Sequence, residues 1–177
     1  MINETYLHLL LNHVPVLTSL LGIPLFFYGW LRKDQRVLQI GLGSFILAAL
    51  SAVPVYFSGE GAEEMVEHLP GVLESLIESH EDVAKIAMIL AEALGLSALV
   101  AFVLDLRQSD LSKWSLPVVA LISLISAGAI IQTAHLGGQI RHSEIRTNTA
   151  SSFNNAEKEN GSEALNKQKQ EEDHDDD

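Results

Sequence analysis

Histidine is the residue type whose spacing in this sequence points most clearly to chemistry. His135 and His142 lie in residues 132–146, QTAHLGGQIRHSEIR, where the last long apolar segment of the chain ends. Their spacing of seven residues is two helical turns, so both imidazoles are predicted to lie on one helix face, about 10 Å apart. Neutral imidazole is a good ligand for iron, copper and zinc. This stretch therefore predicts part of a metal or haem site.

Long uncharged runs predict the helices that would position these histidines. Residues 5–31, 37–58 and 114–140 contain no Asp, Glu, Lys or Arg, and residues 86–104 contain only Glu92. Each run is long enough to cross a membrane, since a hydrocarbon core of about 30 Å takes about 20 helical residues. We therefore predict an all-α integral membrane protein, because the helices of a soluble bundle would each show a polar face. The four transmembrane helices are expected at about residues 6–31, 36–58, 80–105 and 114–138.

The overall composition agrees with a membrane class and excludes several cofactors. The chain of 177 residues is 47% hydrophobic and 19% charged, below the roughly 25% of charged residues in an average soluble domain. It has no cysteine, which excludes disulfides, iron–sulfur clusters, thiolate metal sites and c-type haem attachment. No nucleophile–base arrangement or phosphate loop is visible, so hydrolases and kinases are not indicated, and no nucleic-acid partner is expected.

Basic residues set the predicted orientation. The first connection holds Arg32, Lys33 and Arg36, and the third holds Arg107 and Lys113. The N-terminus and the second connection have no Lys or Arg. By the positive-inside rule, the first and third connections are predicted to be cytoplasmic, so that both termini face the extracytoplasmic side.

The second connection and the C-terminal tail are predicted to lie outside the hydrocarbon. Apolar residues recur at helical spacing on an acidic background, and Pro70-Gly71 interrupt the pattern. We expect a short amphipathic helical segment over residues 60–78 on the extracytoplasmic surface. Residues 147–177 are polar and acidic at their end, so we expect a disordered tail after a transmembrane domain of residues 1–146.

An up-down bundle would gather most of the histidines at one rim. With short connections, the start of helix one, the end of two, the start of three and the end of four share a side. The histidines placed at this outer rim are His8, His13, His68, His80, His135 and His142. A histidine inside a membrane is costly unless it has a partner, which makes the rim a candidate site. His8 and His13 are five residues apart, about 140° around one helix, so they are not expected to serve one ligand together.

Haem b is the cofactor that the rim favours. A porphyrin needs an apolar slot between helices, small residues for clearance and axial imidazoles from different helices. We expect His13 and His135 to flank the slot, with His80 as an alternative axial partner for His13. Small residues in helix three favour close approach of another helix. They are Ala84, Ala87, Ala91, Gly95 and Ala98.

Residues at the end of the last helix are predicted to bind the haem propionates. Arg141 and Arg146 are placed for this role, because guanidinium pairs well with carboxylate. His142 is expected to hold a propionate or a second metal. A divalent transition metal is the alternative to haem, and a chain without any cofactor is the third possibility. The metal ligands would be His13, His80, His135 and His142.

Glu92 is an acidic residue in the middle of the third predicted helix, about 18 Å below His80. An intramembrane carboxylate is rare and usually marks a proton path, an ion or a polar ligand. The alternative is a protonated glutamate that forms a hydrogen bond with Gln132 or a serine. Glu92 is therefore the candidate for a catalytic role in proton handling.

Several motifs resemble a family of uncharacterised bacterial four-helix inner-membrane proteins. The resemblance rests on LHLLLNHVPV, LPGVLESLIESHEDVA, the Glu92-x-x-Gly95 that follows, and TAHLGGQIRHSEIR, and it covers about residues 5–146. The family is similar to a domain of unknown function with a cytochrome-b-like arrangement of histidines. The resemblance implies a location in the bacterial inner membrane. The residues at motif positions are His13, Glu78, His80, Glu81, Glu92, His142, Glu144 and Arg146.

The leading functional hypothesis is a membrane b-type cytochrome module. It would pass electrons between the quinone pool and an extracytoplasmic carrier as a subunit of a respiratory assembly, not as a stand-alone enzyme. The acidic outer surface favours a basic partner such as a soluble cytochrome. One alternative is a non-enzymatic membrane subunit that binds a divalent metal or only packs against partners. The other is a proton- or ion-coupled transport component that uses Glu92.

Overall fold

The described part of the chain is helical throughout. The computed structural model describes residues 4–67, 69, 72–142 and 145–146, and these contain no strand. The helices are α1 (Glu4–Leu11), α2 (His13–Arg32), α3 (Gln35–Val66), α4 (Glu74–Leu106) and α5 (Ser112–Arg141). Stretches long and apolar enough to cross a membrane are Thr5–Arg32, Gln35–Gly59, Glu74–Leu106 and Ser112–Arg141. The predicted all-α class with four long apolar helices is confirmed.

The chain divides into two units, Met1–Arg141 and His142–Asp177. All five helices belong to the first unit. The tail that the sequence predicts at residues 147–177 lies outside the described residues, so its disorder stays a prediction.

The first predicted membrane helix is interrupted at one residue only. The sequence predicts one helix over residues 6–31, and the structure has one apolar span, Thr5–Arg32, that comprises α1 and α2. Asn12 between them keeps a right-handed helical backbone, with φ −58° and ψ −25°, and its N–H donates to the carbonyl of His8 at 2.9 Å. Pro15 leaves the carbonyl of Leu11 without its helical donor, because proline has no N–H. Pro24 lies inside α2 without ending it.

The segment predicted to lie on the membrane surface, residues 60–78, is not a separate helix. Its first part continues α3 to Val66, and its last part begins α4 at Glu74. Nothing in the sequence ends α3 after Ser58, since no proline occurs before Pro70 and most residues of the segment favour a helix. His68, Pro70 and Gly71 lie outside the described residues.

A tight turn joins α2 to α3. Lys33 has a left-handed backbone with φ 57°, and the N–H of Asp34 donates to the carbonyl of Gly29 at 2.9 Å. The Asp34 carboxylate then accepts from the N–H groups of Arg36 and Val37 at 3.1 and 3.2 Å. This cap satisfies two of the free N–H groups that begin α3, and it fixes where that helix starts.

Each of the four long helices packs against two of the other three. Helix α2 contacts α3, α3 contacts α4, α4 contacts α5, and α5 contacts α2. Large side chains fill one part of the bundle, which we call the apolar end. It consists of Phe26, Leu38, Leu42, Phe45, Leu94, Ala98, Ala101, Leu116, Val119 and Ala120. Phe26 and Phe45 are fully buried, with their ring centroids 5.8 Å apart. Helices α2 and α3 approach so closely that a Cβ on Gly41 would lie 2.5 Å from the backbone nitrogen of Phe26.

Candidate functional site

His8 of α1 is half-buried against α3. Its Nδ1 lies 3.0 Å from the carbonyl oxygen of Val55 and 3.4 Å from the hydroxyl of Ser58. A carbonyl oxygen only accepts, so Nδ1 carries the hydrogen and Nε2 keeps its lone pair. Gly59 lies beside the ring, where a Cβ would be 3.8 Å from the imidazole Cε1. The imidazole is therefore held in the tautomer that can bind a metal through Nε2.

His80 of α4 is held against α5 in the same way. Its Nδ1 lies 3.0 Å from the carbonyl oxygen of Thr133. The ring packs on Gly137, where a Cβ would be only 3.0 Å from the imidazole Cε1. Here too Nδ1 donates and Nε2 is left as a potential metal ligand.

One local reason explains both hydrogen bonds. In each case the accepting carbonyl belongs to the residue four positions before a glycine: Val55 precedes Gly59, and Thr133 precedes Gly137. A helical side chain leans back over the preceding turn and would cover that carbonyl. Glycine leaves the oxygen open to an imidazole from a neighbouring helix. We call the six residues of the two arrangements the histidine end, namely His8, Val55, Gly59, His80, Thr133 and Gly137.

His8 and His80 stand on helices that do not pack directly against each other, since no Cα atom of α1 comes within 8 Å of one in α4 or α5. The described residues contain no group of three or more His, Cys, Asp or Glu side chains that could hold a metal ion. Haem iron needs fewer protein ligands, because the porphyrin supplies four of its six.

The histidines favoured from the sequence as an axial pair, His13 and His135, are both exposed. The imidazole of His13 forms no hydrogen bond with another described residue, whereas Nε2 of His135 lies 2.7 Å from Nε2 of Gln139 on its own helix. Neither shares a hydrogen bond with His80, the third histidine of that hypothesis. Arg141 is exposed at the end of α5.

The remaining predicted ligands belong to other parts of the chain. His142, which is exposed, and Arg146, which is half-buried, lie in the second unit. Glu144 and His68 lie outside the described residues. Their predicted roles in binding propionates or a metal stay predictions.

His8 is the residue that the sequence interpretation set aside. Its spacing from His13 excludes only a ligand shared by those two residues, and it leaves a partner on another helix open. A usable signal was present in the sequence. Each buried histidine stands near the start of one apolar helix, and a glycine stands near the end of the next, as His8 with Gly59 and His80 with Gly137.

Glu92 lies in the middle of α4 and is half-buried. Its Oε1 is buried and has no hydrogen-bond partner among the described residues. The expected bond to Gln132 or a serine is therefore not formed, and Gln132 itself is exposed. The Glu92 carboxyl group remains a candidate for binding a polar ligand or for transferring a proton.

Comparisons of the chain with protein-family models, with curated proteins and with solved structures gave no match. The resemblance to uncharacterised four-helix membrane proteins accordingly stays a prediction.

Proposed function

We propose that this chain is a membrane b-type cytochrome module in which His8 and His80 hold one haem b. The observation that carries the proposal is the matched pair of bonds from Nδ1 to the carbonyl oxygens of Val55 and Thr133. Histidines that ligate metals characteristically donate their other ring nitrogen to a carbonyl or carboxylate, which fixes both tautomer and ring orientation. The pair replaces His13 and His135 as the proposed axial ligands.

The proposed setting is a bacterial inner membrane crossed four times by an up-down bundle. The four long helices expose large apolar side chains, as lipid contact requires. Leu21, Leu50, Leu96 and Leu121, one on each helix, are all more than half exposed. The basic residues of the first and third connections support an orientation with the histidine end on the extracytoplasmic side.

The chain's own residues would hold the cofactor by position and electrostatics. The carbonyls of Val55 and Thr133 fix the two rings and make each Nε2 more electron-rich. Gly59 and Gly137 give the rings room beside α3 and α5. When bound, the haem would supply a one-electron redox centre.

An electron-transfer role between quinone and an extracytoplasmic carrier fits the surroundings of the histidine end. Exposed acids cluster on the end of α3 and the start of α4, beside His80. They are Glu64, Glu67, Glu74, Glu78, Glu81 and Asp82. Such a surface favours a basic soluble partner and speeds its association at low salt.

The deciding experiment is a reduced-minus-oxidised visible spectrum with pyridine haemochrome quantification. We expect a sharp alpha band and about one haem per chain, since the two imidazoles form one axial pair. His8→Ala and His80→Ala should each lose the haem. The matched variants His13→Ala and His135→Ala should keep it, because these side chains are exposed.

Two results would contradict the proposal. One is a flat spectrum from protein expressed with ample haem, and elemental analysis would then test the divalent-metal alternative. The other is haem loss in His13→Ala or His135→Ala while His8→Ala and His80→Ala retain it.

A further inference from the structure

Four buried polar atoms in the first unit have no hydrogen-bond partner among the described protein groups. They are Oδ1 of Asn12 and Oε1 of Glu92, together with the hydroxyl oxygens of Ser19 and Ser126. Ser19 and Ser126 are almost completely buried, at 2% and 0% exposed. Buried polar groups are normally paired, and leaving one unpaired costs about 1 to 3 kcal/mol. Four such atoms on α2, α4, α5 and the α1–α2 break therefore need an explanation.

The four residues occupy neighbouring levels of the bundle. Gly22 of α2 and Gly95 of α4 both face Phe45 of α3. Ser19 and Glu92 each stand three residues before those glycines, so they lie at about the same level.

The other two residues lie closer to the histidine end. Ser126 is seven residues from Thr133, about 10 Å along α5. Asn12 is four residues from His8. The set, which we call the polar band, lies between the histidine end and the apolar end.

The unpaired serines are not typical of buried serine in this chain. Ser123, one turn from Ser126 on the same face of α5, donates to the carbonyl of Ala120 at 2.8 Å. Ser58 likewise donates to the carbonyl of Val55 at 3.0 Å. These two serines donate their hydroxyl hydrogens to carbonyls of their own helix, whereas the hydroxyl groups of Ser126 and Ser19 are available for another partner.

We infer that the polar band binds the headgroup of a quinone. The two carbonyl oxygens of a quinone accept hydrogen bonds, which serine hydroxyls or a protonated carboxyl group can donate. The two hydroxyls of the quinol donate, and an amide oxygen or a carboxylate can accept from them. A quinone reaches the middle of a membrane through the lipid. The nearest buried residues that precede Glu92 on α4, Ala87 and Ala91, have small side chains.

This inference rests on the proposed function and gives Glu92 a specific part in it. A quinol that becomes a quinone loses two electrons and two protons. The haem of the proposed function would accept these electrons one at a time, passing the first to the extracytoplasmic carrier before it takes the second. The two protons would pass in turn to the carboxylate of Glu92 and then to solvent, so that Glu92 acts as a general base.

The test uses the purified full chain in nanodiscs made from quinone-free lipid, with decylubiquinol as the probe. We expect decylubiquinol to reduce the haem of the wild type. Glu92→Gln should slow this reduction by about 100-fold, the lower range for loss of a general base. Dithionite should still reduce all the haem of this variant. Asp110→Asn, which removes an exposed carboxylate from the α4–α5 connection, should react at the wild-type rate.

A second measurement follows binding instead of electron transfer. Titration with decylubiquinone should give roughly fivefold weaker binding for Ser126→Ala, as expected from the loss of one hydrogen bond. Ser123→Ala should bind as the wild type does, because its hydroxyl already has a partner.

The two proposals fail in distinguishable ways. A protein without haem overturns the cytochrome proposal. A protein with haem that dithionite reduces but decylubiquinol does not overturns the quinone site alone. An unchanged rate of haem reduction in Glu92→Gln, together with unchanged decylubiquinone binding in Ser126→Ala, would also overturn the quinone site alone.

Discussion

The two ends of the bundle are built in opposite ways. The apolar end is filled by large side chains such as Phe26, Phe45 and Leu94, which are fully buried against one another. At the histidine end, two imidazoles reach backbone carbonyls beside Gly59 and Gly137. Close packing of large groups supplies stability, whereas the glycines leave one carbonyl in each case accessible to an imidazole from a neighbouring helix. Substitutions at the two ends should therefore change different properties.

The largest expected effect is at the apolar end, from Gly41→Ala. Its Cβ would lie 2.5 and 2.6 Å from the backbone nitrogen and Cα of Phe26, so α2 and α3 would have to separate. We expect a loss of about 3 kcal/mol or more in unfolding free energy, at the upper end of overpacking effects. Thermal unfolding in detergent measures it. Gly43→Ala on the same helix is the control, because a Cβ there meets no atom within 4 Å. Equal melting temperatures for the two variants would show that close packing does not stabilise this end.

A smaller effect is expected at the histidine end, from Gly137→Ala. The new Cβ would lie 3.0 Å from the His80 ring, which must shift by a few tenths of an ångström. We expect about fivefold weaker haem binding, equivalent to about 1 kcal/mol, with little change in melting temperature of the haem-free protein. Haem titration of the apoprotein measures the affinity. Gly59→Ala provides the matched comparison, since its Cβ would stand at an ordinary 3.8 Å from His8. If Gly59→Ala lowers the haem affinity as much as Gly137→Ala does, the contact between the new Cβ and the His80 ring is not the cause.

The smallest effect is expected outside both ends, from Asp110→Asn. Asp110 lies in the α4–α5 connection, and the hydrogen bond from Lys113, followed by its charge, lowers the pKa of this carboxyl. A lowered pKa contributes stability above the unfolded pKa of about 4 and loses it as the pH falls through the folded value. Both side chains are exposed, so water and salt screen the pair. We expect no measurable change in melting temperature at pH 7, and a clear decrease would show that this connection contributes to bundle stability.

Most of the helical framework could be predicted from the sequence. Uncharged runs of membrane length place α3, α4 and α5 near their observed positions. The length and apolar composition of a run are enough to predict a membrane-spanning helix. The small-residue stripe of the third predicted helix was also informative. Ala87, Ala91, Gly95 and Ala98 are buried, and Gly95 meets Ala49 of α3.

The pairing of histidines could not be predicted in the same way. Which way an imidazole points depends on the rotation of its helix, and helices that are apolar on all sides carry no pattern that sets this rotation. The partners of His8 and His80 are backbone carbonyls, which every residue carries, so only the glycine four residues further along the helix marks them. The extension of α3 to Val66 was missed for a related reason. Acidic residues there suggested a surface segment, but charge does not end a helix.

The shared pattern at the histidine end divides the site into two half-sites. One helix pair, α1 and α3, presents His8, and the other pair, α4 and α5, presents His80. Each helix pair supplies only one of the two imidazoles. Any ligand that binds both imidazoles therefore joins the two pairs, and it stabilises the assembled bundle by the free energy of its own binding. Cofactor loading and final assembly would then be one thermodynamically linked event.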